Sequence, residues 1–325
     1  MRLEAERLCK TMPDANSRTI AKRLAGEYKC SIESARMVVL RIRGNAGAKS
    51  RKSAPFPKKP GKAGQKPQMP PSKAENWEPV DMGAGISIAV LSDIHIPFHD
   101  ETALAAAVAY SVDRKPDVLL INGDYGDFYA QSRFLKNPKS RDFKGELTAM
   151  RDGLAWLRAE LGSKTRIILK KGNHDERWDH WIWNHYAEIA DEPLMQFETW
   201  LHCEQHGVEV IGDQRPIMAG ELPIFHGHEL PKGMTNPVNM ARGAFLRTCH
   251  TVLVGHGHRS SSHTEPDLWH KEVSVWSTGC LCGMHPEYAR INKWNHGFAF
   301  VEVAKDREFN VENLRVTKDG KVRAS

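Results

Sequence analysis

The sequence predicts an α/β fold preceded by a small helical domain, and three observations carry that reading. Five short apolar runs each end in a cluster of Asp, His, Asn and Gly, helical patterns separate the first three of them, and residues 1–44 carry helical periodicity. A short β-rich apolar run closed by Gly and polar residues reads as a buried strand. Open α/β sheets gather ligands in the crevice at the carboxyl ends of their strands.

The runs come in a fixed order. Residues 88–91 lead into Asp93-Ile94-His95, and residues 118–121 into Gly123-Asp124-Tyr125-Gly126-Asp127. Residues 167–169 lead to Gly172-Asn173-His174-Asp175, residues 222–225 to His226-Gly227-His228, and residues 251–254 to Gly255-His256-Gly257-His258. Singly these are ordinary turns. Together they are expected to deliver Asp, His and Asn to one edge of one sheet. Side chains at i and i+2 of a strand point the same way, so Asp93 with His95, and His256 with His258, are expected to face one pocket. Mixed carboxylate and imidazole donors suit Mn, Fe or Zn better than Ca or Mg. Two neighbouring divalent ions need a bridging carboxylate, and Asp124 is the natural candidate. The glycines at 123, 172, 227, 255 and 257 allow tight turns around such a site.

As a set, Asp-x-His, Gly-Asp-x-x-Asp, Gly-Asn-His-Asp, His-Gly-His and Gly-His-x-His resemble the calcineurin-like metallophosphoesterase superfamily over residues 86–304. The resemblance implies a two-sheet β-sandwich flanked by helices, two divalent metal ions and hydrolysis of phosphate esters by metal-activated hydroxide. It implies that Asp93, His95 and His258 hold a first metal, that Asp124 bridges, and that Asn173, His226 and His256 complete the second. His226 is preferred to His228 because it directly follows the strand, which leaves His228 to support the site or touch substrate. His174 is then the general acid and Asp127 the group that orients it. Manganese is the expected metal, with Fe, Zn or Ni as alternatives.

One departure bears on substrate. The protein-phosphatase branch places a phosphate-gripping Arg directly after the Asp of its second motif, where this chain has Phe128. Protein dephosphorylation is therefore disfavoured. Arg177 either reaches a phosphate or is a surface charge. His99 and Asp175, close to two of the motifs, are expected to support the site or contact substrate, with support preferred for His99. The expected activity is a phosphodiesterase or nuclease acting on nucleic acid or nucleotides. The alternatives are a phosphomonoesterase on a small metabolite or nucleic-acid end, and an inactive DNA-binding adaptor.

The rest of the chain sets bounds. It has 325 residues, 40% apolar, with no apolar run of 18, which predicts a protein that does not span a membrane. Its start lacks the apolar core of a secretory signal, and its six cysteines form no disulfide-like framework, so a reducing cytoplasm is expected. Cys280 and Cys282 read as buried thiols beside the site. The net charge of +6 is uneven: residues 1–80 hold 18 Lys/Arg against 7 Asp/Glu, and residues 81–325 hold 28 against 33.

A basic arm favours nucleic acid as partner. Helices are expected at residues 2–11, 17–28 and 32–43, the last capped by Ser31, with Arg36, Arg41 and Arg43 off its apolar stripe. The arrangement resembles a helix-turn-helix module, with a protein-contact or packing role as the alternative. Residues 45–80, rich in Pro, Gly and Lys, read as a linker, so the catalytic domain is expected over 81–325. Within it, helices are expected at 101–112, 146–161, 175–192 and 240–248. Strands near 273–277, 297–303 and 309–316 are expected to finish a second sheet. Trp178, Trp181 and Trp183 read as core or lid, with base stacking as the alternative.

Overall fold

The structure is a computed structural model that describes residues 1–44, 69–231 and 238–325. The chain divides into two compact units, Met1–Ala74 and Glu75–Ser325. Most of the expected linker, residues 45–68, lies outside the described residues.

In the first unit, α1 (Arg2–Thr11), α2 (Ser17–Glu27) and α3 (Ile32–Ile42) close on a core of Ala5, Leu8, Ile20, Ala21, Leu24, Ala35 and Val39. Asn16 and Ser31 cap α2 and α3 by accepting from Thr19 N and Ser34 N, which satisfies donors the first turn leaves over. Of the three arginines at the end of the unit, Arg41 is exposed. Arg36 pairs with Glu33, and Arg43 donates to the carbonyls of Met12 and Pro13.

The second unit stacks two sheets between helices. The larger has seven strands in the order β13-β12-β11-β2-β3-β4-β5. These are β2 (Ile86–Leu91), β3 (Val118–Asn122), β4 (Arg166–Lys170), β5 (Val208–Ile211), β11 (Gly297–Val303), β12 (Phe309–Val316) and β13 (Val322–Ala324). The smaller has six, in the order β1-β6-β7-β8-β10-β9. They are β1 (Val80–Asp81), β6 (Ile217–Ala219), β7 (Leu222–Phe225), β8 (Val252–Val254), β9 (Ser261–Pro266) and β10 (Glu272–Ser277). Strands β2 to β5 run parallel, as do β7, β8 and β10.

Alternation along the strands builds the layers. Ile88, Val90, Leu120 and Ile168 face Ile217, Leu222, Ile224 and Leu253 of the other sheet. Ala89, Leu91, Leu119, Ile121 and Leu169 face the outer helices α4 (Glu101–Arg114) and α5 (Phe143–Leu161). On the far side, Ala241 and Ala244 of α8 (Met240–Thr248) pack on Val252, Val254 and Val275.

The structure corrects three expectations. The five motif strands do not share one sheet: β2, β3 and β4 belong to the larger, β7 and β8 to the smaller. Of the three late strands, only β10 joins the smaller sheet, while β11 pairs antiparallel with β2. The long helix expected over 175–192 is α6 (Glu176–His185). It stops where Tyr186 leaves helical geometry at φ −139°, its ring 5.2 Å from Trp181, and short turns follow before α7 (Phe197–Trp200). Trp178 is buried and Trp183 is exposed.

Candidate metal centre

Both sheets present the carboxyl ends of their motif strands to the same place, and the loops there carry the chemistry. The geometric reason expected from strand alternation does not hold. Asp93, His95, Asp124, His256 and His258 lie beyond their strands and have φ of 55°, 53°, 53°, 60° and 55°. Five non-glycine residues in the left-handed region at one site mark stored strain that the surroundings must hold. Asp and His are among the residues that tolerate it best.

The surroundings are built to hold it. The loop after β2 is zipped to the loop after β3: Asp93 N donates to Gly123 O at 3.1 Å, His95 N to Asp124 O at 2.9 Å and Asp127 N to Ile96 O at 2.9 Å. Asp175, fully buried, accepts from the backbone N–H of Tyr125, Gly126 and Gly172, so it ties the Gly-Asn-His-Asp turn to the Gly-Asp loop. Burial, then the charge of Asp124, pushes its carboxyl up to about 6. A side chain at Gly172 would put its Cβ 2.3 Å from Asp124 Oδ1, and one at Gly123 (φ 84°) would meet the His226 ring at the same distance. Both glycines are required by close approach.

The donor atoms converge without satisfying one another. Asp93 Oδ1 lies 3.0 Å from His258 Nε2 and 3.9 Å from His226 Nε2. Asp124 Oδ2 lies 3.3 Å from His226 Nε2 and 3.6 Å from His95 Nε2. Yet Asp93 Oδ1, His95 Nε2, Asn173 Oδ1 and His226 Nε2 are buried and, among the described residues, have no hydrogen-bond partner. Buried polar atoms are normally paired. Four orphans aimed inward fit divalent cations.

Among the described residues there are three groups of donors whose atoms lie within 4.8 Å of one another inside each group: Asp93, Asp124, His226 and His256; His95, His258 and Cys282; and His95, Asp127 and His174. His256 and His258 thus fall into different groups, although His258 touches Asp93 of the group that holds His256. The expected first-site trio of Asp93, His95 and His258 is split between two of these groups, although Asp93 and His258 are in contact.

The far ring nitrogens are held in place. His226 Nδ1 donates to Asn122 O at 2.8 Å, and His95 Nδ1 lies 3.0 Å from Asp127 Oδ1. Such contacts fix which nitrogen faces a metal. Burial opposes the charge on the His226 ring, but Asp124 and Asp93 outweigh it and raise its pKa to about 10. Burial likewise resists ionisation of Asp124, and the surrounding His226, His174 and His95 hold it well below the usual carboxylate range.

His174 sits at the edge of the cluster. Its Nδ1 lies 3.0 Å from Asp127 Oδ1 and from the Asp127 carbonyl, and its backbone N–H donates to Asp124 Oδ1 at 2.8 Å. Arg177 is no loose surface charge: it donates to the Asp127 carbonyl at 2.8 Å and to His174 Nε2 at 3.0 Å. His228 is in none of the three donor groups and lies 3.2 Å from Glu176 Oε1. His99 lines a cavity that opens beside His95 and Asp127.

Sequence reading missed the group that supports His226. Glu229 accepts from His226 N at 3.1 Å and from Gly227 N at 2.6 Å, and it pairs with Lys170 at the end of β4. Both side chains are buried, at 5% and 1% exposed. A Lys closing an apolar run is the available signal, because Lys is almost never fully buried unless paired. Cys282, expected beside the site, has its Sγ 3.8 Å from His258 Nδ1.

The sequence model of the calcineurin-like phosphoesterase family matches residues 86–295. The Gene 54 protein of Mycobacterium phage D29 is 30% identical over 234 residues, which cover 66% of this chain and 88% of that one. The Gene 54 protein of Mycobacterium phage L5 is 28% identical over 267 residues, 72% of this chain and 97% of that one. Among solved structures, Vps29 of Entamoeba histolytica aligns with 74% of this chain and 97% of its own at 14% identity and a TM-score of 0.37. The E. coli phosphoesterase YfcE aligns over the same shares at 13% identity and a TM-score of 0.36. The chain belongs to the calcineurin-like phosphoesterase family, whose members are dinuclear-metal-dependent hydrolases of phosphoric esters.

Proposed function

We propose that the chain is a phosphodiesterase acting on nucleic acid or nucleotides, with two manganese ions as its native metals. The observation that carries this is the shape of the cleft. Two adjoining cavities of 440 and 780 Å3 share Asp127, Tyr129, Asn137, Glu287 and Tyr288, the first reaching the centre at His95 and the second at Asn173 and His174. A diester has an organic group on each side of its phosphorus, and the cleft has room for both. A monoester needs only one. Phe128, 1% exposed in the core, cannot offer phosphate the cation that the protein-phosphatase branch supplies there.

In this reading Asp93, His95 and His258 would hold one metal and Asn173, His226 and His256 the other, with Asp124 a ligand common to both. When bound, such a pair polarises phosphoryl oxygens and acidifies water. The protein's own groups do the rest. Asp127 holds His174 by Nδ1, which leaves Nε2 to carry the proton for the leaving oxygen. Arg177 now donates to Nε2, so it must turn outward when His174 is charged, and its guanidinium is then free for a phosphoryl oxygen. Burial opposes ionisation of Asp127, but His174 and His95 keep it well below the ordinary carboxylate range. It therefore stays anionic opposite a charged His174.

We assign nucleic-acid contact to residues 1–80. Support comes from the excess of basic residues there and from exposed Arg18, Lys22, Arg23, Lys29 and Arg41 on the helical unit. Contact of this kind weakens steeply with salt. A cytoplasmic setting is supported by six unpaired cysteines. Among the described residues no helix is long and apolar enough to cross a membrane.

The test is a panel of substrates with Mn2+: bis-p-nitrophenyl phosphate, p-nitrophenyl phosphate, and single- and double-stranded DNA. Turnover of the diester and of DNA is expected. Turnover confined to the monoester overturns the proposal.

A further inference from the structure

We propose that the smaller cavity is a stacking site for a nucleobase, so that the group esterified beside the scissile phosphate is a nucleoside. The inference rests on the diester reading above and names the substrate class of the same cleft.

The cavity holds 440 Å3, enough for a base and its sugar, and four aromatic side chains line it: Phe98, Tyr129, Tyr288 and Trp294. They come in two pairs. Phe98 and Tyr129, from the loops after β2 and β3, stand edge to face with centroids 6.2 Å apart. Tyr288 and Trp294, from the segment before β11, are 6.1 Å apart. Phe98 is 47% exposed and Tyr288 65% exposed, so two large rings stand partly open at one cleft. Flat apolar faces of this kind suit any base, because every base has a π-face. A sugar phosphate would leave them wet.

The rings are fixed relative to the centre. Trp294 packs against His258 with centroids 4.1 Å apart. The Tyr129 hydroxyl donates to Glu287 Oε2 at 2.9 Å and accepts from Asn137 N at 2.8 Å, which ties the two walls together. His95 and Asp127 also line the cavity, so the space in which a base would stack is continuous with the centre.

The test compares two diesters with the same leaving group, thymidine 5′-(p-nitrophenyl phosphate) and methyl p-nitrophenyl phosphate, in the full chain with Mn2+. The ratio of their kcat/KM values reads the nucleoside, sugar and base together, and the ring variants below isolate the stacking of the base. The wild-type ratio is expected to favour the nucleoside by roughly tenfold or more. Tyr288→Ala and Phe98→Ala should each shrink it several-fold, and Tyr288→Phe should restore it. A wild-type ratio near one, or an unchanged ratio in both alanine variants, overturns the stacking site while the diester reading stands. Hydrolysis of p-nitrophenyl phosphate with neither diester turned over overturns the diester reading, and the nucleoside assignment falls with it.

Discussion

The two halves of the centre are built differently. The half on the larger sheet contributes Asp93, His95, Asp124, Asp127, Asn173 and His174, and its loops are zipped by backbone hydrogen bonds and by Asp175. The half on the smaller sheet contributes His226, His256 and His258, all imidazoles. Its loops are fixed largely by reaching across to the first. Asn122 donates to Phe225 O and accepts from His226 Nδ1, Asp93 Oδ2 accepts from His256 N, and Lys170 pairs with Glu229. The carboxylate half therefore carries its own shape and the site's charge, whereas the imidazole half borrows its shape from its neighbour. Damage to the first should spread to both, and damage to the second should stay local.

Asp124→Ala is the severest test of that asymmetry. Asp124 meets three histidines and the His174 backbone. Both metals should be lost, with turnover down at least about a thousandfold. Metal analysis after gel filtration checks it. Retention of two ions per chain would show that the carboxylate does not join the halves.

His174→Ala should spare the metals and slow the reaction by roughly 10²–10⁴-fold with poor leaving groups, far less with p-nitrophenolate. Equal losses on both would remove His174 as the acid. Glu229→Gln strikes the imidazole half alone. Affinity for one of the two ions should fall roughly 10–100-fold while the other is kept. Adding Lys170→Met removes the stranded buried cation and recovers stability. If it also recovers metal affinity, Glu229 serves packing and not the positioning of His226.

The same asymmetry fixes how metal binding depends on pH. The carboxylates of the first half keep His226 protonated up to about 10 in the metal-free protein. A ligand nitrogen must be deprotonated, so metal displaces that proton near neutrality. Affinity should rise roughly tenfold per pH unit for each proton displaced. Calorimetry in buffers of different ionisation enthalpy counts the protons, and a count of zero would contradict the charge assigned to His226.

Much of this was legible in the chain, and the remainder was hidden for physical reasons. The motif runs became strands and helices α1 and α3 begin where the pattern puts them, because periodicity reports which face is apolar. Periodicity does not report which strand is the neighbour, so the resemblance implied two sheets but nothing in the chain showed that β7 and β8 leave the sheet of β2, β3 and β4. The spacing of Asp93 and His95 suggested a shared strand face, but backbone turns of φ near 55° place them. Lys170 and Glu229 stand 59 residues apart and meet only across the two sheets.

Glu146 gives the smallest effect and probes the carboxylate half from behind. It lies on α5 and accepts from Tyr129 N at 3.1 Å, just beyond Asp127. Burial, with the nearby charge of Asp127 adding to it, raises its carboxyl from 4.5 to about 7, against the pull of that N–H. The folded chain thus keeps a proton that the unfolded chain has released between pH 4.5 and 7. Where the folded state binds more protons, stability falls as pH rises. Glu146→Gln cannot ionise, so the variant should gain on the parent through that window and level off above it. Urea midpoints of both proteins, measured without metal from pH 4.5 to 8, check this. Parallel curves would mean that the loop bearing Asp127 relaxes to hydrate Glu146, and that the carboxylate half is less rigid than its backbone bonds imply.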